Sequence, residues 1–334
     1  MNDVTLRGIG LLSALGADAE ETLAALREGE SAIFPDADGN PCGAIQNIDT
    51  QRWLGGPPGL VDRASLLMLV ASAQALHGVP LPPPSPVGVM AGTVWGGVQS
   101  ASLFYRDAVE KGPRLVKPML FPHTYGNTGA SLVAMRWNLS GPHGCEMTGR
   151  AASGHAFAEA VATLRAGHDG AMLVVGAESL SPQRRAALES THPGLILGEA
   201  GAACLLERGA AGQRILSARC GNGVAPTLRA ALAEAGVAPT ELSLVVTSVC
   251  GRPDTDEREA AGLREVLGAA QPPVLAPLGL CGELEGANAV FLVAVASLCL
   301  CHGVATTFSP DGRGNALILA TDPPDTSFAC VIGK

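Results

Sequence analysis

The stretch Gly141-Pro142-His143-Gly144-Cys145-Glu146-Met147-Thr148-Gly149-Arg150-Ala151-Ala152-Ser153-Gly154-His155 changes character within a few residues. A strand near Gly144–Thr148 runs directly into a helix spanning Ala152 to Leu164. The same alternation extends outward in both directions. Upstream, the pattern predicts a strand at Val4–Gly10, a helix at Ala19–Arg27, and a Gly/Pro-rich loop over 36–61. A helix at Ala64–Leu76, a proline connector at Pro80–Pro86, a strand at Val87–Ala91, and helices at Gly96–Val109 and Thr128–Met135 follow. Downstream come strands at Ala171–Val175, Ala202–Leu206 and Arg214–Ala218, and a helix at Thr227–Ala235. The chain closes with a strand at Leu242–Thr247, a helix at Asp256–Leu267, a long apolar helix at 285–301 and strands at 316–320 and 327–332. Strands alternating with helices predict an α/β fold with mixed, mostly parallel sheets. The second half repeats the first, which predicts a duplication with an N-terminal half at 1–209 and a C-terminal half at 210–334.

Composition fits that frame. Of 334 residues, 47% are hydrophobic, only 16% are charged and 4% are aromatic, while glycine numbers 42. Small residues let helices and sheets approach closely, and few charges suit a subunit that buries surface in an oligomer. The net charge is −9 and no lysine/arginine stripe is present, which argues against nucleic-acid binding. Arg184–Arg185 and Arg114/Lys117 are the candidates for a basic patch facing an acidic partner. The nine cysteines are scattered, and Cys299-x-Cys301-His302 lies in an apolar run, so buried reduced thiols are expected rather than a metal site. The opening MNDVTLRGIG alternates like a strand and lacks the marks of a signal peptide. The apolar run Gly286–Cys301 is shorter than the ~20 residues of a membrane span and reads as a core helix. A cytoplasmic protein is the expectation.

Several segments, taken in order, resemble the elongation-type β-ketoacyl-acyl-carrier-protein synthases of the thiolase superfamily. Arg7-Gly8-Ile9-Gly10 with Ser13-Ala14-Leu15-Gly16 resembles the family's first strand and turn. Gly92-Thr93-Val94-Trp95-Gly96-Gly97 resembles its glycine-rich strand-to-helix step. Asn127-Thr128-Gly129-Ala130 and Asn138-Leu139-Ser140-Gly141-Pro142 resemble the approach to its nucleophile. Val174-Val175-Gly176-Ala177-Glu178-Ser179 resembles "GGAE", and Leu197-Gly198-Glu199-Ala200-Gly201-Ala202 resembles "LGDGAG". The resemblance covers nearly the whole chain and implies a thiolase-like duplicated αβαβα layered fold. In active members a cysteine at a buried helix N-terminus is the nucleophile, supported by two histidines and a lysine. No resident cofactor is implied; substrate would arrive on a phosphopantetheinyl acyl carrier protein.

At those positions this chain departs from the family. Counting from Gly141-Pro142, the nucleophile position holds Arg150. In Cys250-Gly251-Arg252-Pro253-Asp254-Thr255-Asp256, Cys250 stands where the first histidine is expected. In Leu278-Gly279-Leu280-Cys281-Gly282-Glu283-Leu284-Glu285-Gly286-Ala287, Leu278 replaces the lysine and Glu283 the second histidine. The C-terminal gating loop is replaced by Ala320-Thr321-Asp322-Pro323-Pro324-Asp325. No catalytic residue is therefore assigned, and loss of the whole set argues against both condensation and decarboxylation. The resemblance implies that positions 150 and 283 face each other, so an Arg150–Glu283 salt bridge is expected to plug the pocket, with a bidentate geometry.

Other candidates compete less well. Cys145 and Cys250 are the thiols a divergent acyltransferase would use. His155 reads as a core or interface histidine, His123 and Tyr125 fall in a segment approaching a dimer interface, and His143, His168 and His192 read as solvated turn residues. Residues 176–179 lack nucleophile-elbow spacing, and Gly92–Gly97 lacks the phosphate-loop lysine. The resemblance points to a chain-length-factor-like subunit that pairs with an active synthase in type II polyketide, aryl-polyene or fatty acid synthesis. Val98, Ala101 and Tyr105 would then line the far end of the acyl tunnel. The alternatives are the acyltransferase and a homodimeric scaffold that binds an acyl chain or carrier protein.

Overall fold

The computed structural model describes residues 3–81, 85–168, 170–209, 212–303 and 314–333; Pro82–Pro84 of the expected proline connector lie outside them. Among the described residues, ten strands form one sheet: β1 (Val4–Ser13), β2 (Gly88–Gly92), β3 (His143–Glu146), β4 (Met172–Glu178), β5 (Ala200–Arg208), β6 (Gln213–Asn222), β7 (Leu242–Thr247), β8 (Val274–Leu275), β9 (Asn315–Asp322) and β10 (Thr326–Gly333). Their spatial order is β8-β7-β9-β10-β6-β1-β5-β4-β2-β3. Read outward from the centre, each side runs first, fifth, fourth, second and third strand of its own half, so one five-strand pattern occurs twice. Pairing is parallel among β3, β2 and β4 and among β8, β7 and β9. It is antiparallel where β5 and β10 enter, and where β1 meets β6 at Thr5–Arg214 and Leu6–Gln213.

The short β1–β6 junction lets the sheet fold around two central helices, Ala152–Arg165 and Asn288–His302. Both halves pack on these helices, in a cluster joining Phe157, Val161, Phe291 and Leu292 to Val174, Cys204, Ile318 and Phe328. The helices Arg63–Ala75 and Thr128–Trp137 cover the outer N-terminal face, and Val224–Ala235 and Pro253–Leu267 cover the outer C-terminal face. The layers therefore run αβαβα. Composition explains the middle: Asn288–His302 is apolar all round, and such a helix needs protein on every side. A segment at Glu285–His302 is long and apolar enough to cross a membrane, yet 89% of it is buried in the fold.

Local differences from the sequence reading have physical causes. The expected loop at 36–61 holds a small three-stranded sheet, in which Pro41–Gly43 pairs with Phe34–Pro35 and with the distant Leu197–Gly198, and a short helix at Thr50–Leu54. Strands of two or three residues leave no periodicity to read. The strand expected to reach Thr148 stops at Glu146, and a turn of 3₁₀ helix, Gly149–Ala151, precedes the central helix. The helix at Pro182–Thr191 is absent from the sequence pattern, because it buries only Arg184 and Leu188.

Candidate functional site

The 3₁₀ turn places Arg150 at the mouth of the first central helix, where unpaired backbone amides make a cation unfavourable. Gly149 permits this turn twice over. Its φ is 87°, and a Cβ there would meet Asp322 Oδ2 at 2.1 Å. The closing hairpin β9–β10 can thus press against the helix start. Arg150 is only 2% exposed, and each nitrogen of its guanidinium donates to protein. Nη2 and Nε donate to Glu283 Oε2 at 2.7 and 3.1 Å, Nη1 donates to the Thr321 carbonyl at 2.6 Å, and Nη2 also reaches the Ser248 carbonyl at 3.3 Å.

The expected Arg150–Glu283 bridge is present, with one correction. Both guanidinium donors converge on a single carboxylate oxygen instead of forming a two-oxygen fork. Oε1 of Glu283 is committed elsewhere, accepting from Asn288 Nδ2 at 2.8 Å and from the Glu285 amide at 2.6 Å. The Glu283 backbone is equally fixed, its amide donating to Ile196 and its carbonyl accepting from Gly198 and from Arg184 Nη2. Burial opposes the charge on Glu283, but Arg150, with the Cys250 and Asn288 hydrogen bonds, outweighs it and holds the carboxyl down at about 2.

Cys250 completes the cluster. Its thiol donates to Glu283 Oε2 at 2.8 Å and lies 3.6 Å from Arg150 Nη2. Burial and then the Glu283 charge drive this thiol far above its usual range, so Cys250 is a neutral donor. Leu278, at the lysine position, is fully buried in a one-turn helix at Leu278–Cys281. Cys145 lies on the edge strand β3, shares a weak contact with the Gly126 carbonyl at 3.7 Å, and is pushed up to about 11 by burial. Among the described residues, neither thiol has a histidine as a hydrogen-bond partner. A guanidinium, a carboxylate and a thiol thus satisfy one another at the helix mouth.

Three further buried carboxylates lie near the cluster, of which Glu259 falls in no segment singled out from the sequence. Glu259 is fully buried and accepts from Ser248 through both its amide and its hydroxyl; burial raises it to about 7. Glu178, in the "GGAE"-like strand β4, accepts from the Val94 and Trp95 amides and Thr93 Oγ1; burial raises it to about 8. Beside it, Glu285 accepts from Trp95 Nε1 at 2.7 Å and Arg184 Nε at 2.5 Å. Arg184 is therefore a wholly buried structural residue and no part of a surface patch, while Arg185 pairs with Asp36 at 2.7 Å.

The helix Val98–Lys111 starts from this network and then leaves the body of the chain. Only Ser100 and Asp107 are buried along it; Val98 and Ala101 are half-buried, and Tyr105 is 61% exposed. Phe121 packs at a tilt against Phe104, with centroids 5.6 Å apart, and edge-on against Tyr125, with centroids 5.3 Å apart. With Val109, Leu115 and Met119 they make an exposed apolar ridge. Gly126, next to Tyr125, packs against Met147 just past the end of β3, and β3 has a strand on one side only. Of the remaining expected histidines, His143 is exposed and His155 and His168 are half-buried. The charges of Arg252 and Arg150 act on His192.

The chain matches the model of the beta-ketoacyl synthase N-terminal domain over residues 1–211 and that of the C-terminal domain over 202–309. It is 29% identical over 376 aligned positions to the tetracenomycin polyketide synthase ketoacyl synthase beta subunit of Streptomyces glaucescens, covering 95% of this chain and 91% of that protein. Among solved structures, the ishigamide ketosynthase/chain length factor superposes with a TM-score of 0.84 at 24% identity, covering 99% of each chain. A complex of the ketosynthase ApeO with its chain length factor ApeC from Xenorhabdus doucetiae gives 0.80 at 16% identity, covering 99% of this chain and 98% of that one. With both domains matched in order and the layered fold shared, the chain belongs to the beta-ketoacyl synthase family.

Proposed function

We propose that this chain is a non-condensing, chain-length-factor-type subunit that pairs with an active ketosynthase and shapes the end of its acyl tunnel. The observation that carries this reading is the closed set Arg150–Glu283–Cys250, which occupies the helix mouth where a nucleophile would stand. An attacking thiolate needs a lowered pKa and a base in reach, and the thiols here have the opposite environment. That also weakens the acyltransferase alternative. The exposed apolar side chains of the ridge and the open edge of β3 support a protein partner, because exposed apolar patches and unpaired strand edges commonly mark interaction surfaces. The helix Val98–Lys111 lies on that ridge, so Val98, Ala101 and Tyr105 would meet acyl chain and partner together. Carrier protein would deliver substrate to the partner's cysteine.

Co-expression with the cognate active ketosynthase tests the pairing. A 1:1 complex is expected, and replacing Phe121 and Tyr125 together by glutamate should weaken it by about tenfold or more, since desolvated aromatic anchors dominate such interfaces. A stable homodimer that ignores the ketosynthase would favour the scaffold reading instead.

A further inference from the structure

The sheet stops short on its C-terminal side. Among the described residues β8 is two residues long and pairs with Val245 and Val246, so the next residue of β7, Thr247, has a strand neighbour on one edge only, at Leu319. There the helix Pro253–Leu267 and the chain leading into β8 enclose a cavity of about 370 Å³, a size that suits a small ligand. Its walls are largely apolar, with Val249, Leu263, Leu267, Pro272 and Val274 among them. Elsewhere this outer face is a packed core, in which Val245, Leu263 and Leu267 meet Leu317 and Leu319.

Thr247 is the residue that does not fit an apolar lining. Side chains alternate along β7: Leu244 and Val246 join the central core, Val245 joins the outer one, and Thr247 falls on the outer face with Val245. Thr247 is 1% exposed and lines the cavity, and its Oγ1 has no hydrogen-bond partner among the described residues. Buried polar groups are nearly always hydrogen-bonded, and an unpaired hydroxyl destabilises the fold where valine would fill the same space without one. The mouth bears on the charge of what enters. Arg264 lines it from the last turn of the helix, where a cation answers the carbonyl end of the helix dipole. The Arg264 and Leu267 carbonyls there already accept from the Gly268 and Ala270 amides. Neither sign of charge is left unanswered, which favours an uncharged occupant.

We propose that this cavity binds a small uncharged molecule, an apolar body carrying a hydroxyl or carbonyl oxygen, and that this oxygen completes the hydrogen bonding of Thr247. The body packs on Leu263 and Leu267 and covers Val274, which is 59% exposed in the free chain. The site is independent of the pairing reading: it lies at the opposite end of the sheet from β3, and every residue in it belongs to this chain. It also backs onto the plugged helix mouth. Thr247 and Val249 flank Ser248, whose carbonyl accepts from Arg150 and whose hydroxyl donates to Glu259.

The test uses the full chain and two probes of nearly the same shape, phenethyl alcohol and ethylbenzene, followed by ligand-observed NMR and thermal unfolding. The alcohol should bind saturably, raise Tm, and bind about tenfold or more tightly than the hydrocarbon. T247V should weaken the alcohol by about tenfold or more, leave the hydrocarbon unaffected, and leave the ligand-free chain at least as stable as the parent. T247S keeps the hydroxyl and should hold the alcohol within about threefold of the parent. Should T247V fail to fold, A260F carries the test: Ala260 lines the cavity, and a ring placed there must abolish binding of both probes. The proposal is overturned if neither probe binds saturably, if the hydrocarbon binds as tightly as the alcohol, or if T247V or A260F binds the alcohol like the parent. It is equally overturned if T247V destabilises the ligand-free chain, which would show that the hydroxyl already has a partner.

Discussion

At the scale of single residues, Arg150 and Glu283 form a buried ion pair at the helix mouth. A buried pair contributes little net stability when intact, but removing one partner strands the other in a low dielectric. E283L should therefore cost about 3–5 kcal/mol in urea unfolding, whereas R150M/E283L should cost clearly less than E283L alone. Equal losses in the single and double variants would show that the two side chains do not depend on each other. The pair is legible in the sequence because glycines on either side count it into place: Gly141-Pro142 fixes Arg150, and Gly282 and Gly286 bracket Glu283. Their partners are not legible. Ser248 and Thr321 contribute backbone carbonyls from 98 and 171 residues away, which no side-chain pattern announces. Arg184 misleads for a related reason: Arg184 and Arg185 are neighbours in sequence but lie about 100° apart round a helix, so one is buried and the other faces out.

Among elements, buried carboxylates fasten the strand ends to the turns that follow. Glu178 holds the turn from β2 into Val98–Lys111, and Glu259 fastens the helix Pro253–Leu267 to the end of β7. Both bind protons more tightly folded than unfolded, at about 8 and about 7 against 4.5. The folded state thus holds extra protons between pH 4.5 and 8, and stability falls as pH rises through that window. Glu283 works in the opposite sense: its contribution is present above 4.5 and is lost as pH falls towards 2. Tm should peak in mild acid and decline towards about pH 8.5, and E178Q/E259Q should flatten that decline; an unchanged slope would refute the assignment. For the helix Val98–Lys111, Tyr105→Ala in a reconstituted pair should lengthen the product, as measured by mass spectrometry of released chains. Unaltered length would make Tyr105 an interface residue only. The helix Pro182–Thr191 leaves little trace in the sequence because it buries just two side chains, although Ser181-Pro182 carries a start signal, a capping hydroxyl followed by proline.

Across the whole molecule, alternation of strand and helix makes the α/β class legible, and the apolar helix at 288–302 marks the centre of the layers. The antiparallel entry of β5 and β10, which produces the repeated strand order, leaves no mark in the sequence because pairing direction is a long-range property. The same fold could serve a synthase, so the proposed distinction rests on the contents of the helix mouth. Intact-mass spectrometry of the purified chain, after exposure to acyl-carrier-protein thioesters and a thiol-directed synthase inhibitor, tests that distinction most directly. No acyl transfer to the chain is predicted, with Cys145 and Cys250 unmodified. A single stoichiometric acyl adduct on either thiol would contradict it and make this protein an acyltransferase with a relocated nucleophile.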